Sequence, residues 1–378
     1  MKKLLLAATV AAMGVSAAQA APTLYGKINL SVDQIENNSF IEDQDKSELN
    51  SNASRIGVKG EEKLTDNVSA VYVAEWEISA DGDESDAQTF KKRNLFGGLK
   101  FANVGTLKAG IFDSYFKNAA GKYQDIFNDH TLDITNMMYG EDRLKNSIGF
   151  ETDKKMLGGL QFNILAQQGE DADKEDYATT GQKGKRDGFG DSISTSLTYE
   201  NKEVGVALAL AGNFGVEGKY NGIGAVSELI KAEVVDAVGI KLPSTKLYSD
   251  AIRVTGSYDF SKIGANGLVL GALYQQAEPT DDIKGFEGLE EKAWLISSTY
   301  KVGNTPWVVK AQYQTAETTA DVFNGDITID QYGIGVDYNL NKQTRLYGLL
   351  AQQKLDITGV DLEEDNKTVF GLGMEYNF

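Results

Sequence analysis

The sequence contains no cysteine, one histidine and only four prolines, and its basic residues are few. Without cysteine and with a single histidine, a metal cluster is excluded unless carboxylates alone form it. The 55 acidic residues against 37 basic ones give a net charge of −18. This balance argues against a nucleic-acid partner and is compatible with a preference for cations. We expect no cofactor and no metal site.

The few candidate catalytic features do not indicate an enzyme. His130 is the sole histidine, and no nucleophile elbow accompanies it, as a Ser-His-acid hydrolase would require. Gly333 and Gly335 lie in the middle of a predicted strand with no helix after them, so they are not a dinucleotide fingerprint. The sequence therefore predicts no catalytic residues.

The first twenty residues are typical of a signal peptide. Lys2 and Lys3 precede an apolar run over 4–15, and Ala18 and Ala20 form a small-x-small cleavage site. The run is too short for a membrane anchor. We expect the mature chain to begin at Ala21, which changes the net charge from −18 to −20 because two lysines are removed.

After residue 20 the chain has no run of roughly 18 apolar residues that would form a spanning helix. Apolar and polar residues instead alternate with period two, as over 24–33 and 331–340. A closed barrel is the other structure that satisfies every backbone group in lipid. The alternation therefore favours transmembrane strands, although one such strand would also suit a soluble sandwich.

Sixteen segments carry this alternation, and their connections are alternately tight and long. This arrangement is typical of short periplasmic turns opposite long external loops. Sixteen strands enclose an aqueous lumen. The sequence predicts an all-β antiparallel barrel, with 21–378 as one domain and strands near 23–34, 53–62, 67–79, 89–101, 104–112, 143–152, 159–168, 190–200, 203–214, 248–260, 267–277, 291–301, 307–316, 328–340, 343–354 and 367–378.

Aromatic residues near the predicted strand ends suggest the interfacial girdles of a membrane barrel. The last strand places Phe370, Leu372, Met374, Tyr376 and Phe378 on one face, and Phe378 is the final residue. The other candidate girdle residues are Trp76, Trp294, Tyr300, Trp307 and Tyr338.

Several motifs resemble those of the general Gram-negative porins, which are trimeric diffusion channels of sixteen strands. They are Thr23–Lys27 (TLYGK), Ser54–Glu61 (SRIGVKGE), Arg93–Lys100 (RNLFGGLK), Arg143–Phe150 (RLKNSIGF) and the terminal Tyr376 and Phe378. The resemblance implies an outer-membrane channel for ions and small hydrophilic solutes. It also implies that the third external loop folds into the barrel, where its acidic residues face a basic wall.

The resemblance assigns candidate residues to this constriction. Lys27, Arg55, Arg93 and Arg143 match the basic wall. In the third loop, 113–142, the stretch Ala119–Asp125 resembles the family, although the Pro-Glu-Phe-Gly-Gly segment of enterobacterial members is missing. Asp125 and Asp129 are the best acidic matches, and the further candidates are Asp113, Asp133, Glu141 and Asp142.

Strand parity supports the basic wall independently of the resemblance. Arg55 shares a face with Gly57 and Lys59, and Arg143 shares a face with Ser147, while Leu144 is predicted to point outward. An arginine that faced lipid at mid-membrane would cost roughly 2–4 kcal/mol. These cations are therefore predicted to face the lumen.

The expected partners follow from the same features. Small outward residues on the first strands, namely Gly26, Ala70, Ala74 and Gly98, suggest with the resemblance a homotrimer joined along that wall. Phe378 is implied to be the signal for the barrel assembly machinery. Acidic stretches at 42–48, 81–86 and 170–176 should enrich cations at the mouth and are candidates for divalent ions that bridge lipopolysaccharide.

Two other functions remain open. One is a substrate-selective channel, for example for an oligosaccharide, for which the third-loop aromatics Tyr115, Phe116, Tyr123 and Phe127 offer a possible aromatic path. The other is an adhesion or structural outer-membrane barrel with a plugged lumen.

Overall fold

The computed structural model describes residues 21–37, 45–82, 90–169, 188–225, 246–281, 283, 287–321, 325–360, 362 and 365–378. The predicted signal peptide lies outside these residues, as do 42–44 and 83–86 of two acidic stretches and the whole of the third, 170–176. Among the described residues, no helix is both long and apolar enough to cross a lipid bilayer.

The described part of the chain is almost entirely strand. The α-helix α1 (Tyr115–Gln124), a helical turn at 221–225 and the 3-10 turns Ile134–Asn136 and Phe260–Ile263 interrupt it. The strands are β1 (Thr23–Glu36), β2 (Lys46–Ser51), β3 (Arg55–Lys63), β4 (Val68–Ile78), β5 (Phe90–Phe101), β6 (Gly105–Asp113), β7 (Arg143–Thr152), β8 (Leu160–Gln168), β9 (Phe189–Asn201), β10 (Val206–Lys219), β11 (Lys246–Asp259), β12 (Leu268–Pro279), β13 (Glu290–Lys301), β14 (Trp307–Ala320), β15 (Gly325–Asn339), β16 (Thr344–Ile357) and β17 (Asn366–Asn377).

These strands close into one antiparallel barrel. Each pairs with its neighbours in sequence, and β1 pairs with β17. β2 and β3 pair with successive parts of β1, so they are one barrel strand interrupted near Ala53, which has a positive φ of 48°. The predicted barrel of sixteen strands is confirmed. The predicted strands near 23–34 and 53–62 are too short, because β1 reaches Glu36 and 46–51 pairs with the upper part of β1.

The alternation of side chains separates a wet interior from an apolar exterior. On β11, Ile252 and Val254 are half-exposed on the outside, whereas Arg253 and Thr255 are buried inside. Outward aromatic rings pair across strands, with centroids 5.0 Å apart for Trp294 and Tyr313 and 4.7 Å apart for Trp307 and Tyr338. On β14, Trp307 and Tyr313 lie six positions apart, roughly 20 Å along the strand at about 3.3 Å per residue. Outward aromatic rings are typical of the girdles that border the apolar band of an outer-membrane barrel.

Bulges overturn two predictions that rested on strict alternation. Asn146 has a positive φ of 55°, and Leu144 on the far side of it packs inward against Phe112 and Leu165 instead of pointing outward. A second register shift lies between Ala74 and Trp76 on β4, where β5 contains an extra residue. Gly98 therefore lies opposite the buried Lys108, on the lumen side, and is not part of the outer wall. A one-residue insertion exchanges the faces of the residues beyond it, so the parity argument for Arg143 also fails, although Arg143 at the start of β7 still lines the lumen beside Asp113.

The last residue completes the barrel. The backbone N–H of Phe378 donates to the carbonyl oxygen of Gly26 at 3.0 Å, and that of Gly26 donates to Phe378 at the same distance. A Cβ atom on Gly26 would meet the Phe378 ring and would lie 2.6 Å from the carbonyl oxygen of Arg55. Glycine at position 26 therefore allows the terminal ring to cover the seam between β1 and β17.

We predict that Gly26→Ala destabilises the closed barrel by about 1–3 kcal/mol, because the methyl group overpacks the seam. Gly256→Ala is the matched control, since its new Cβ would meet only Leu208 at an ordinary 3.5 Å. The temperature at which the folded form converts to the unfolded band on semi-native gels measures the difference. Equal temperatures for both variants would contradict this account of the seam.

Candidate functional site

The third external loop, here called loop 3 (residues 114–142), lies inside the barrel. Ser114 caps α1 by accepting a hydrogen bond from the backbone N–H of Lys117 at 3.0 Å. Phe116, Leu132 and Tyr139 have no exposed surface and pack against side chains that point inward from the wall. The apolar core of the molecule therefore lies between loop 3 and the wall.

A fully buried arginine anchors loop 3 to the wall at β11. The guanidinium of Arg253 lies 2.6 Å from the carboxylate of Glu141 and donates to the carbonyl oxygens of Phe116 and Tyr139 at 3.1 and 3.3 Å. It also donates to Gln275 on β12 at 2.9 Å. Burial raises the pKa of Glu141, and the attraction of Arg253 partly offsets this rise.

Asp129 is the loop acid that contacts the predicted basic wall. Its carboxylate forms ion pairs with Lys27 and, at 2.9 Å, with Arg55. Burial opposes ionisation of Asp129, but the charges of Lys27 and Arg55 outweigh it and lower the pKa of this carboxyl below its usual value. The carboxylate of Asp129 thus joins loop 3 to two cations of the wall, Lys27 and Arg55.

Asp125 and Asp133 line the cavities on either side of loop 3 but form their hydrogen bonds within the loop, not with the predicted basic wall. Asp125 accepts hydrogen bonds from Asn128 at 2.6 Å and from the backbone N–H of Ile134 at 3.4 Å, both within loop 3. Asp133 accepts from the backbone N–H groups of Asp129 and Thr135 at 2.7 Å. Burial, followed by repulsion from Asp133, raises the pKa of Asp125 well above its usual value. These acids shape the loop, because unpaired backbone N–H groups need acceptors there.

The other two wall arginines are matched by acids near them on the wall. Arg93 lies 2.8 Å from Glu75 and 2.9 Å from Glu77, both on β4. Arg143 lies 3.0 Å from Asp113 at the end of β6. Of the acids within loop 3, Asp129 therefore forms the ion pairs with the predicted basic wall, and Asp113 at the start of the loop pairs with Arg143. Asp142 lies at the base of loop 3, where burial raises its pKa and Ser114 donates to its carbonyl oxygen at 3.1 Å.

Sequence reasoning missed several charged groups of the lumen. Glu75 and Glu77 alternate with the apolar Trp76 and Ile78 on β4, a signal for an inward face that was present in the sequence. Four further charged residues on the last strands form a chain of ion pairs. Lys310 lies 3.1 Å from Asp337, and Arg345 lies 2.9 Å from both Asp337 and Glu375. Nothing in their local sequence shows that they pair.

Open space remains on both sides of loop 3. On the side of the long loops, a cavity of about 560 Å³ lies against the wall at Arg55, Arg93 and Arg143. On the side of the short turns, a cavity of about 540 Å³ reaches Lys310 and Arg345. We call these the external and the periplasmic cavity, because long loops face outward in such barrels. Lys117, Asn128 and Glu141 line both cavities.

The loop aromatics do not form an exposed path. Tyr115, Phe116 and Phe127 are buried, and the rings of Phe116 and Phe127 lie against Arg253 and Lys310 at 4.2 and 4.6 Å. Tyr123 is half-buried and donates to Glu200 at 3.4 Å. These rings therefore attach the loop to the wall and leave no continuous apolar surface for a sugar.

His130 docks the tip of loop 3 on β1. Its Nε2 lies 3.2 Å from the hydroxyl of Ser31 and 3.3 Å from the carboxylate of Asp33. A Ser-His-Asp triad requires the serine and the acid on opposite ring nitrogens. Here both meet the same nitrogen, while Nδ1 accepts from the backbone N–H of Thr131 at 2.7 Å. The geometry is that of a structural contact.

These features can be compared with known proteins. The family model described as Gram-negative porin matches residues 6–358. The chain belongs to this family. This porin is therefore an outer-membrane β-barrel channel, and the resemblance stated from its motifs is confirmed.

Relatives of this porin are similar over nearly their whole length. Outer membrane porin F of Xenorhabdus nematophila is 26% identical, with 94% of this chain and 91% of that protein covered. A major outer membrane protein P.IB of Neisseria gonorrhoeae is 27% identical, with 91% of each covered.

Solved structures share the fold. The anion-selective porin from Comamonas acidovorans superposes with a TM-score of 0.66 at 20% identity, covering 95% of this chain and 99% of that one. The trimer form of OmpT from Vibrio cholerae has a TM-score of 0.62 at 16% identity, with the same coverage. At this level of identity the likeness shows the fold alone.

We predict that Arg253→Met loosens loop 3, because Glu141 is left buried without its partner at a cost of about 3–5 kcal/mol. Amide hydrogen exchange of 115–141, followed by mass spectrometry, should become much faster. Lys100→Met is the control, since Lys100 and Glu61 are nearly half-exposed and their pair contributes about 0–1 kcal/mol. Unchanged protection in Arg253→Met would show that other contacts hold the loop.

Proposed function

We propose that this porin is a non-specific diffusion channel for ions and small hydrophilic solutes, and that it catalyses no reaction. The observation that carries the proposal is the pair of cavities that flank loop 3 and share three lining residues. Such an arrangement leaves a polar route past the loop. Charged groups of both signs along this route favour hydrated solutes over apolar ones.

The constriction, in this proposal, lies between loop 3 and the strands that face it. Its basic side consists of Lys27, Arg55, Arg93 and Arg143. Asp129 supplies the charge that opposes Lys27 and Arg55 across the lumen. Among the other candidate loop acids, Asp113 supports Arg143, Glu141 supports Arg253, and Asp125, Asp133 and Asp142 maintain the shape of the loop.

We further propose a preference for cations that is strongest at low salt. Among the described residues, the external cavity is lined by five acids and four bases, namely Glu77, Asp113, Asp129, Asp133, Glu141, Arg55, Arg93, Lys117 and Arg143. Because the charges in this cavity nearly cancel, we attribute the selectivity mainly to the acidic surface of the chain, whose net charge is −18. Surface charges act over a Debye length of about 8 Å at physiological salt, so the preference should weaken as salt rises.

The remaining partners are also proposals. The fold shared with a trimeric porin and the small outward residues Gly26, Ala70 and Ala74 support a homotrimer, which cross-linking in mild detergent tests. We propose lipopolysaccharide as the external lipid partner, since divalent ions can bridge its anionic groups to the acidic loops.

Residues 1–20 are proposed as a signal peptide and 21–378 as the single barrel domain. Phe378 is proposed as the assembly signal, and deletion of Phe378 should lower the folded yield.

Liposome swelling tests the general function. We expect swelling rates to fall smoothly as the sugars in the medium become larger, because a polar waist sorts solutes by size. Saturable uptake of one oligosaccharide would favour a substrate-selective channel instead. An absence of swelling in liposomes that contain folded protein would favour an adhesion or structural barrel.

Reversal potentials across a salt gradient in planar bilayers test the constriction. Arg55→Ala should raise the preference for cations, because fixed positive charge is removed and Asp129 is less opposed. Asp129→Asn should shift selectivity toward anions, because Lys27 and Arg55 lose their counter-charge.

Asp66→Asn is the matched control for Asp129→Asn, since the Asp66 side chain is 95% exposed in a periplasmic turn. It should change the reversal potential less, and chiefly at low salt. If Arg55→Ala and Asp129→Asn shift the potential in the same direction, these residues do not form the constriction. A wild-type preference for anions, as the Comamonas acidovorans porin is named for, would refute the proposed cation preference.

A further inference from the structure

A third cavity inside the barrel lies between α1 and the wall formed by β7 to β11. Its volume is about 330 Å³, near the lower end of the range of about 300–1,000 Å³ for small-molecule sites. It shares Asn118, Gly121 and Lys122 with the periplasmic cavity and no lining residue with the external cavity. We call it the side recess, since a solute reaches it from the periplasmic half of the lumen.

Apolar packing closes the side recess toward the long loops. Leu165 lies two positions beyond Asn163 on β8, in the direction of the external end of the strand. It belongs to a buried apolar cluster that includes Tyr115 on loop 3 and Val216 on β10. The side recess is therefore a blind pocket beside loop 3, and a molecule enters and leaves it by the same opening.

The floor of the side recess is polar although it is buried. Asn163, Ser196 and Thr255 are each no more than 6% exposed. Asn163 donates to Ser196 at 3.0 Å, and Thr255 donates to the carbonyl oxygen of Ala119 at 2.9 Å. Within the described part of the chain, the amide oxygen of Asn163 has no hydrogen-bond partner. A buried acceptor without a donor is costly, so a ligand hydroxyl that satisfies this oxygen gains free energy.

The mouth of the side recess is a loosely arranged set of polar groups around Glu200. The carboxylate of Glu200 lies 4.0 Å from the ammonium of Lys122, 3.9 Å from that of Lys154 and 3.4 Å from the hydroxyl of Tyr123. These contacts are long for direct hydrogen bonds, so a bridging group fits between the partners. A hydroxyl suits this position, because it can donate to a carboxylate and accept from an ammonium group.

The charges that line the side recess favour a neutral ligand. Among the described residues, the lining contains two acids, Glu151 and Glu200, and two bases, Lys122 and Lys154. Because these charges cancel, an ion that entered would lose hydration without meeting a net opposite charge. The other polar side chains of the lining are amides and hydroxyls, which pair with neutral hydroxyl groups.

We propose that the side recess is a binding site for one small, neutral, polyhydroxylated solute of the size of a monosaccharide. Hydroxyl groups of the solute bridge Glu200 to Lys122 and Lys154 at the mouth, and one of them donates to Asn163 at the floor. The site is separate from the proposed constriction. It retains a solute in the periplasmic half of the lumen, and its occupancy can be measured at equilibrium, without any conduction.

Saturation-transfer NMR on the folded protein in detergent micelles tests the site, with glucose as the probe. We expect saturable binding to the wild type. Glu200→Ala and Asn163→Ala should each weaken binding about fivefold, because each removes one hydrogen-bond acceptor. Ala207→Leu should abolish binding, since Ala207 lines the side recess and the larger side chain fills it. Glu200→Ala changes only the partly exposed mouth, so it keeps the test decisive if Ala207→Leu fails to fold on semi-native gels.

Ala311→Leu is the matched control, since it adds the same side chain at an exposed position on the outer face of β14. It should bind glucose as the wild type does. Gluconate is the control ligand, because it is similar in size and carries a negative charge, and it should bind more weakly than glucose.

The proposal is overturned if glucose shows no saturable binding, or if Ala207→Leu and Glu200→Ala bind it as tightly as Ala311→Leu does. Tighter binding of gluconate than of glucose would also overturn it, because the two lysines would then form an anion site. Normal liposome swelling by a protein that does not bind glucose would refute the site and leave the proposed channel function intact.

Discussion

The lumen of this porin depends on the burial of one guanidinium. Arg253 projects from the wall with no exposed surface, and its donors meet a carboxylate and two backbone carbonyls of loop 3. A cation in this position is stable only if the loop supplies those acceptors, and the loop stays inside only if something satisfies its polar groups. Arg253 therefore requires loop 3, and further wall donors such as Ser297 and Gln312 satisfy other carbonyl oxygens of the loop. Because loop 3 is held against β11 and β12, the open route lies on its opposite side.

On that opposite side the charges are arranged in small, nearly neutral groups. Asp129 lies between two cations, and Arg93 lies between two carboxylates. Such local matching lowers the cost of placing charge in a partly dry wall. It also leaves only weak residual fields around these groups.

The fold was predictable because period-two alternation repeats along the strands. Exceptions are few, since a charged residue that faces lipid destabilises the barrel. The failures occurred where alternation breaks. Asn146 reverses the face of Leu144, and the bulge on β5 moves Gly98 inward. In the site, Asp129 was predictable in position, but the roles of Asp125 and Asp129 differ only through the fold of loop 3. Which carboxylate reaches Lys27 depends on long-range packing, which local spacing does not encode. The pairing of Lys310 with Asp337 is hidden for the same reason.

The seam at Gly26 and Phe378 has a consequence for the order of events during biogenesis. The backbone hydrogen bonds that close the barrel join Gly26 on β1 to Phe378, the residue after β17. A nascent or truncated polypeptide therefore has two unsatisfied strand edges, which attract other chains in water. The sheet is therefore sealed only once its first and last strands are both in place, whatever the order in which the strands between them pair.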